Sequence, residues 1–183
     1  MGDVPMASAE LLTPLDNRAV AAPSVGVLPA PPAHRVSLRV GPDALEIVDA
    51  ALGLAVPRTI GWSETAGGRS ALCLGPDEWL VIDPDDDPMA DLARITAPHS
   101  TVDVSHRNVA LLVTGEGAAD AIEHGCPRDL SLAAFPVGAC ARTVLGKAEV
   151  IVWRGKPDAF RIECWRSFST YVMDFMEEVA RDM

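Results

Sequence analysis

The alternation of apolar and polar residues from Arg35 onward predicts a strand followed by a helix. In RVSLRV the apolar residues alternate with polar ones, which is the period of a half-buried strand. In the next stretch, GPDALEIVDAALGL, a proline suits the first helical position and Gly53 marks the end of the helix. The residues that these two patterns turn inward are Val36, Leu38, Val40, Leu45, Val48, Ala51 and Leu52. SALCLGPDEWLVID then predicts two short strands around a Gly-Pro turn, and DPDDDPMADLARI predicts an acidic loop with a short helix.

The same order of patterns occurs a second time from Asn108. The stretch NVALLVTGEGAADAIEHGCP predicts a strand over 109–113, a glycine turn and a helix that ends at Gly125. Gly41 and Gly115 are 74 residues apart, and Gly53 and Gly125 are 72 apart, so the two passes match to within two residues. CARTVLGKAEVIVWR and FRIECWRSF predict further strands, and SFSTYVMDFMEEVARDM predicts a closing helix. The inward residues expected of this helix are Tyr171, Val172, Phe175, Met176 and Val179.

These patterns predict an α+β fold of two β-α-β-β-α half-repeats with antiparallel sheets and helices on one face of each sheet. We place the half-repeats at about 35–98 and 99–183, within a single domain over 35–183. Residues 1–34 contain six prolines and predict an extended arm. Because such a composition promises few contacts within a monomer, we expect the arm to lie on another subunit. Removal of residues 1–33 should then weaken assembly more than it lowers the melting temperature of the domain.

Composition and charge exclude several classes of function. Fifteen basic and 26 acidic residues give a net charge of −11, which would repel phosphate backbones and anionic membrane surfaces. No apolar run reaches the roughly 20 residues needed to span a bilayer, and the N-terminus has no long apolar signal region. We therefore expect a cytoplasmic protein with neither nucleic acid nor membrane as partner. The four cysteines are few and widely spaced, which predicts reduced thiols.

Three groups of polar residues could carry chemistry, but each has a structural interpretation. His124 lies two residues before Cys126, yet a helix C-terminus disfavours a thiolate there, so we interpret this cysteine as a packing residue. Asp103, Ser105 and His106 are close in sequence, and local turn bonding explains them better than a catalytic triad does. The carboxylates of DPDDDP lack EF-hand spacing, and no cysteines have Cys-x-x-Cys spacing. We predict no catalytic, cofactor-binding or metal-binding residue.

Arginine and tryptophan are concentrated in the second half of the chain. The residues are Arg128, Arg142, Arg154, Arg161 and Arg166, with Trp153 and Trp165 among them. Both residue types are enriched at the hot spots of protein interfaces, but strand-edge arginines paired with nearby acids would give the same composition. Both interpretations stay open. The candidate partner interface comprises His106, Arg107, Arg128, Arg142, Trp165 and Arg166.

Two resemblances to known families rest on longer motifs. The stretch VDVSHRNVALLVTGEGAADAI, with Asp103 to Ile122, resembles the folate-binding domain of the glycine cleavage aminomethyltransferase, or T-protein. A wider set comprises LGPDEWLV, DVSHRNVALLVTG, GCPRDLSLAAFPVGACARTVLGKAEVIVWR and FRIECWRSFSTYV. From about Leu74 to Val172, this set is similar to the gamma subunit family of heterotetrameric sarcosine oxidase.

The second resemblance implies a duplicated α+β fold related to the T-protein domain, and a noncatalytic chain that assembles with alpha, beta and delta subunits. In that family the complex demethylates sarcosine oxidatively to glycine, with hydrogen peroxide and either formaldehyde or 5,10-methylenetetrahydrofolate. It implies that FAD, FMN, NAD, tetrahydrofolate and zinc belong to the partner subunits and none to this chain. Where the T-protein domain has an acidic pair before an apolar strand, GKAEVIV has only Glu149 beside Ala148, which argues against folate binding by this chain alone.

Two other functions remain open from the residues. A stand-alone folate-binding or aminomethyltransferase-like protein would bind tetrahydrofolate in isolation. A thiol enzyme would use Cys126 with His124 or His106, and would lose its function in a folded Cys126→Ser variant.

Overall fold

Two antiparallel sheets lie face to face, and helices cover the outer face of each. A computed structural model describes residues 14, 15 and 17–183. The strands are β1 (Val20–Ala21), β2 (Gly26–Pro29), β3 (His34–Val40), β4 (Ser63–Ala66), β5 (Arg69–Gly75), β6 (Glu78–Asp83), β7 (His99–Asp103), β8 (Asn108–Thr114), β9 (Cys140–Leu145), β10 (Ala148–Lys156) and β11 (Ala159–Trp165). The helices are α1 (Leu45–Leu52), α2 (Pro88–Leu92), α3 (Ala118–Glu123) and α4 (Ser169–Asp182), with 3-10 turns at Pro42–Ala44 and Arg166–Phe168.

The first sheet has the strand order β4-β5-β6-β3-β7 and packs against α1 and α2. As the sequence predicts, Val36, Leu38 and Val40 of β3 are buried on the helix side. The predicted inward positions Val48 and Leu52 of α1 meet them there. The helix ends at Gly53 with a φ of 63°, a left-handed conformation that glycine adopts without a steric penalty.

The second sheet has the order β1-β2-β8-β11-β10-β9 and packs against α3 and α4. The closing helix buries Val172, Met176 and Val179 as predicted, and Phe175 packs at the edge of the core. The prediction for Tyr171 is wrong, because the side chain is 37% exposed and its hydroxyl accepts a hydrogen bond from the Lys147 backbone N–H. The other buried positions of this helix are Ser169, Met173 and Ala180.

The two sheets share an order of elements. After its first helix each half has three strands and a second helix, and the order β4-β5-β6-β3 corresponds to β9-β10-β11-β8. The sequence predicted two strands after the first helix of each half, whereas the structure has three. The predicted boundary at 98/99 falls just before β7, which pairs with β3 in the first sheet. The duplication itself stays a prediction.

Part of the predicted arm belongs to the second sheet. Strand β2 pairs with β8, and Val25 and Val27 are buried in the same core as α4. Arg18 forms ion pairs with Asp174 and Glu177 of that helix. The expectation of few contacts within the chain is therefore wrong for residues 17–30, because alternating valines pack into the core and β2 pairs with both β1 and β8 despite the neighbouring prolines. Residues 1–13 and 16 of the arm lie outside the described residues.

No helix in the described part of the chain has the length and apolarity needed to cross a membrane.

Candidate partner interface

The facing sides of the two sheets carry both apolar and ionic contacts. Leu72, Leu80 and Ile82 of the first sheet pack with Cys140 of the second, and Trp153 lies against this cluster. Such a side of a sheet would ordinarily face solvent in a two-layer α+β domain. Here it is covered, so charged residues on these strands must find partners inside the sandwich.

Glu163 of β11 is the centre of the ionic contacts between the sheets. Its Oε2 accepts a hydrogen bond from Arg35 Nε of β3 at 2.7 Å, and its Oε1 accepts one from Arg161 Nε at 2.8 Å. The side chains of Arg35 and Glu163 are 4% and 1% exposed, and that of Arg161 is 15% exposed. Two guanidinium groups therefore share one buried carboxylate.

Arg142, one of the predicted interface residues, contributes a second ionic contact between the sheets. Its two terminal nitrogens lie 2.5 and 3.2 Å from the carboxylate oxygens of Glu78 on β6. The hydrogen bond from Arg142 lowers the pKa of Glu78 below its ordinary value. The sequence left open whether these arginines pair with nearby acids or form an interface. Arg142 pairs with an acid.

Four of the predicted residues meet where the β7–β8 turn lies beside the end of β11. We call His106, Arg107, Trp165, Arg166 and the neighbouring Phe168 the tryptophan surface. The Arg107 guanidinium stacks over the Trp165 ring at 5.1 Å, and the Arg166 N–H donates to the Arg107 carbonyl at 2.7 Å. Trp165 and Phe168 are 44% and 42% exposed. Stacking of the arginine restricts the tryptophan while leaving much of its ring accessible.

Arg128 lies apart from the tryptophan surface, in a cleft of about 340 Å³ beside β9. Its guanidinium lies 5.9 Å from the Phe135 ring, and Arg142 lines the same cleft. Exposed Ile60 and Trp62 form another part of the cleft wall. Sequence reasoning missed these two residues, because isolated apolar positions in a loop produce no periodic signal.

Arg154, which the sequence grouped with the surface arginines, is almost completely buried on the helix side of β10. Its guanidinium donates to the carbonyl groups of Leu130 and Pro157 and stacks over the Phe160 ring at 4.2 Å. Burial lowers the pKa of Arg154 from its ordinary value. This arginine organises the core and is not available to a partner.

The cysteine and histidine candidates are held by local contacts. Cys126 is buried and its Sγ lies 3.7 Å from Thr143 Oγ1, whereas the His124 ring Nδ1 lies 2.8 Å from the Asp120 carbonyl. Burial raises the pKa of Cys140 to about 12, which keeps that thiol protonated at neutral pH. These contacts give neither thiol an activating base.

The Asp103, Ser105 and His106 group forms a turn, as the sequence predicts. Asp103 Oδ1 accepts the Ser105 backbone N–H at 2.8 Å, and Ser105 Oγ accepts the Arg35 backbone N–H at 2.8 Å. Hydrogen bonding from Ser105 lowers the pKa of Asp103. His106 is exposed on the tryptophan surface.

The acidic loop is also engaged internally. Asp83 Oδ1 accepts the backbone N–H groups of Asp85 and Asp86, and Arg69 donates to both Asp83 and Asp91. Within residues 14, 15 and 17–183, no cluster of three or more His, Cys, Asp or Glu side chains is arranged to hold a metal ion.

Comparison with known proteins places the sequence in a family. The family model described as "Sarcosine oxidase, gamma subunit family" matches residues 40–182. The sarcosine oxidase gamma subunit of an Arthrobacter species is 35% identical over 111 residues, which cover 57% of this chain and 54% of the relative. The chain thus spans about half the length of this curated relative.

Solved structures show the same fold. A chain of the heterotetrameric sarcosine oxidase from Corynebacterium sp. U-96 matches with a TM-score of 0.80 and 23% identity, over 89% of this chain and 87% of that one. The glycine cleavage aminomethyltransferase T of Bartonella henselae matches with a TM-score of 0.59 and 14% identity, over 84% of this chain and 45% of that one. The predicted α+β fold with antiparallel sheets, similar to the T-protein domain, is confirmed. Since the family model covers most of the chain, the protein belongs to the sarcosine oxidase gamma subunit family.

Proposed function

We propose that this chain is a noncatalytic subunit of a heterotetrameric sarcosine oxidase complex, in which it assembles with alpha, beta and delta subunits and stabilises the flavin-bearing ones. The complex would demethylate sarcosine to glycine, with hydrogen peroxide and formaldehyde or 5,10-methylenetetrahydrofolate as further products. FAD, FMN, NAD, tetrahydrofolate and zinc would be held by the partner subunits. The four unpaired cysteines agree with a reducing compartment such as the cytoplasm.

The observation that carries the proposal is the exposed Trp165 ring, stacked by Arg107 and next to Phe168. Tryptophan and arginine are the residue types most enriched among interface hot spots, and a restrained side chain loses less entropy on binding. The polar side chains that catalysis would need are instead engaged in turns and ion pairs, as Asp103 and Glu163 illustrate. Family membership is the reason for proposing alpha, beta and delta subunits as the partners.

Co-expression tests this function directly. The chain, with an affinity tag, is produced with the alpha, beta and delta subunits, and the purified complex is assayed for subunit ratio, flavin absorbance and sarcosine-dependent peroxide. We expect all four subunits in equal amounts, and we expect omission of this chain to reduce yield or thermal stability of the flavoprotein. The isolated chain should neither oxidise sarcosine nor bind tetrahydrofolate. Purification of the tagged chain without a flavoprotein, or tight folate binding by it alone, would refute the proposal.

A further inference from the structure

The facing side of the second sheet extends past the first sheet and forms a groove there. This open β8–β11 groove has a volume of about 320 Å³, and its lining includes Leu112, Thr114, Trp153, Lys156 and Arg161. Leu28 of β2, the cross-strand partner of Leu112, continues the same face and is 48% exposed. The groove therefore combines an apolar wall with two cationic side chains.

The groove holds positive charge that the described residues leave uncompensated. Arg35 and Arg161 share the single carboxylate of Glu163, and none of the described residues that line the groove is Asp or Glu. Lys156 adds a second cation at the rim. This concentration stands out in a chain of net charge −11. An anionic group would be attracted to the groove and would balance the buried excess.

Two hydrogen-bond donors beside the groove lack acceptors. Arg161 Nη2 and Trp153 Nε1 are enclosed, and neither has a hydrogen-bond partner among the described residues. The two residues are directly opposite each other on β11 and β10. Buried donors of this kind are nearly always paired in a protein's functional state. A partner's carboxylate, with two acceptor oxygens, could accept from both once the side chains that cover these donors shift on binding.

We propose that the β8–β11 groove binds an acidic segment of a partner subunit, which places an Asp or Glu carboxylate toward Arg161 and Trp153. An apolar side chain of the same segment would cover Leu112 and Leu28. This surface is additional to the tryptophan surface, and the inference rests on the proposed function, because it takes another subunit of the complex as the occupant. Charge complementarity with the groove, together with its apolar wall, selects an acidic and partly apolar segment.

The two lysines of the chain provide a matched test. Lys156 lines the groove, whereas Lys147 lies at the other end of β10, in the β9–β10 turn, and both are exposed. Lys156→Glu and Lys147→Glu make the same charge change, and unchanged circular dichroism and melting temperature verify that each variant folds. Affinity for the co-expressed partner subunits is then measured by titration. We expect Lys156→Glu to weaken binding about tenfold and Lys147→Glu to change it less than about twofold.

Carbodiimide cross-linking of the assembled complex gives a second readout, because it joins a lysine amine directly to a carboxylate in contact with it. We expect a cross-link from Lys156 to an Asp or Glu of a partner subunit. Normal assembly of Lys156→Glu, or cross-links from Lys156 only to this chain, would overturn the inference while leaving the proposed function intact. If the wild-type chain assembles with no partner, both fail. If the groove instead joins two copies, the isolated chain dimerises and Lys156→Glu makes it monomeric, which also overturns the inference.

Discussion

Arg35 on β3 and Glu163 on β11 form a buried ion pair that joins the two sheets, with 2.7 Å between Arg35 Nε and Glu163 Oε2. Ion pairs of this kind recover their desolvation cost only when the geometry is good and both partners are present. The carboxylate also accepts a hydrogen bond from Arg161, so its removal affects two cations.

Glu163→Ala should lower the free energy of unfolding by about 3–5 kcal/mol, because it leaves Arg35 and Arg161 buried without a counter-charge. Urea denaturation of the isolated chain measures this. Asp77→Ala is the control, since Asp77 pairs with Arg39 at the surface, where both side chains are about half exposed. That variant should lose less than about 1 kcal/mol. Equal losses in the two variants would contradict a central role for Glu163.

The ion pair of Arg142 and Glu78 predicts a dependence of stability on pH. Because Arg142 lowers the pKa of Glu78 in the folded state, the pair's contribution is complete above the ordinary Glu pKa of about 4.3. It is lost as the pH falls through the lowered folded-state pKa. Arg142→Gln should therefore be less stable than wild type at about pH 7, by up to about 1 kcal/mol because Arg142 is partly exposed. Urea titrations from neutral to acidic pH should show this difference shrinking, and a difference that grows on acidification would refute the assignment.

Burial of the thiols predicts low reactivity in the folded chain. Burial raises the pKa of both Cys140 and Cys164 to about 12, so few thiolates exist at neutral pH. Iodoacetamide at about pH 8 should leave these two residues unmodified in the native protein and label them fully after denaturation. Peptide mass spectrometry distinguishes the sites. Rapid labelling of Cys140 in the folded chain would be inconsistent with burial of its side chain.

The tryptophan surface predicts an interface hot spot. Trp165→Ala combined with Arg166→Ala should weaken association with the partner subunits by about 2 kcal/mol or more, because the exposed ring and its arginine neighbour are lost together. Leu132→Ala is the matched control, since Leu132 is also exposed but lies away from this surface in the segment before β9. Binding titrations compare the variants, once each is shown to have the melting temperature of the wild-type chain. An effect of Leu132→Ala as large as that of the double variant would argue against a specific hot spot.

Strand β2 predicts that the N-terminal segment stabilises the domain itself. Val27→Ala should lower the free energy of unfolding by about 2 kcal/mol, because this fully buried side chain lies in the core beneath α4. Leu28→Ala, the next residue on the same strand, should have a small effect in the isolated chain because Leu28 is exposed. Deletion of residues 1–30 should lower the melting temperature strongly. Full stability of the deleted chain would restore the view that this segment serves only assembly.

The sequence predicted local elements wherever apolar residues had a clear period. Strand β3 and helix α1 illustrate this, since their inward residues follow periods of two and 3.6. Strand β4 was missed because three of its four residues are exposed, and no alternation marks it. Helix α4 was misjudged at Tyr171, because an aromatic residue next to Val172 extends the apparent apolar face while its hydroxyl bonds outside the core.

The periods of apolar residues do not predict that the two sheets cover each other. In β11, Phe160, Ile162 and Cys164 face the helices, so alternation correctly turns Arg161 and Glu163 to the opposite side. Nothing local reveals that a second sheet lies there. The partner of Glu163, Arg35, is 128 residues away along the chain. Composition therefore suggested an outer surface of arginines, whereas folding draws several of them inward and leaves Arg107 and Trp165 accessible.

The pairing of β2 with β8 has a consequence for the order in which the protein is made. Strand β2 (Gly26–Pro29) is synthesised about 80 residues before β8 (Asn108–Thr114), and β3 in between joins the other sheet. Until β8 has been translated, β2 can pair only with β1, and such distant contacts slow folding. The first sheet can form from β3 to β7 alone, whereas the second needs both β1–β2 and β8–β11, so closure of the sandwich is expected to be a late folding event.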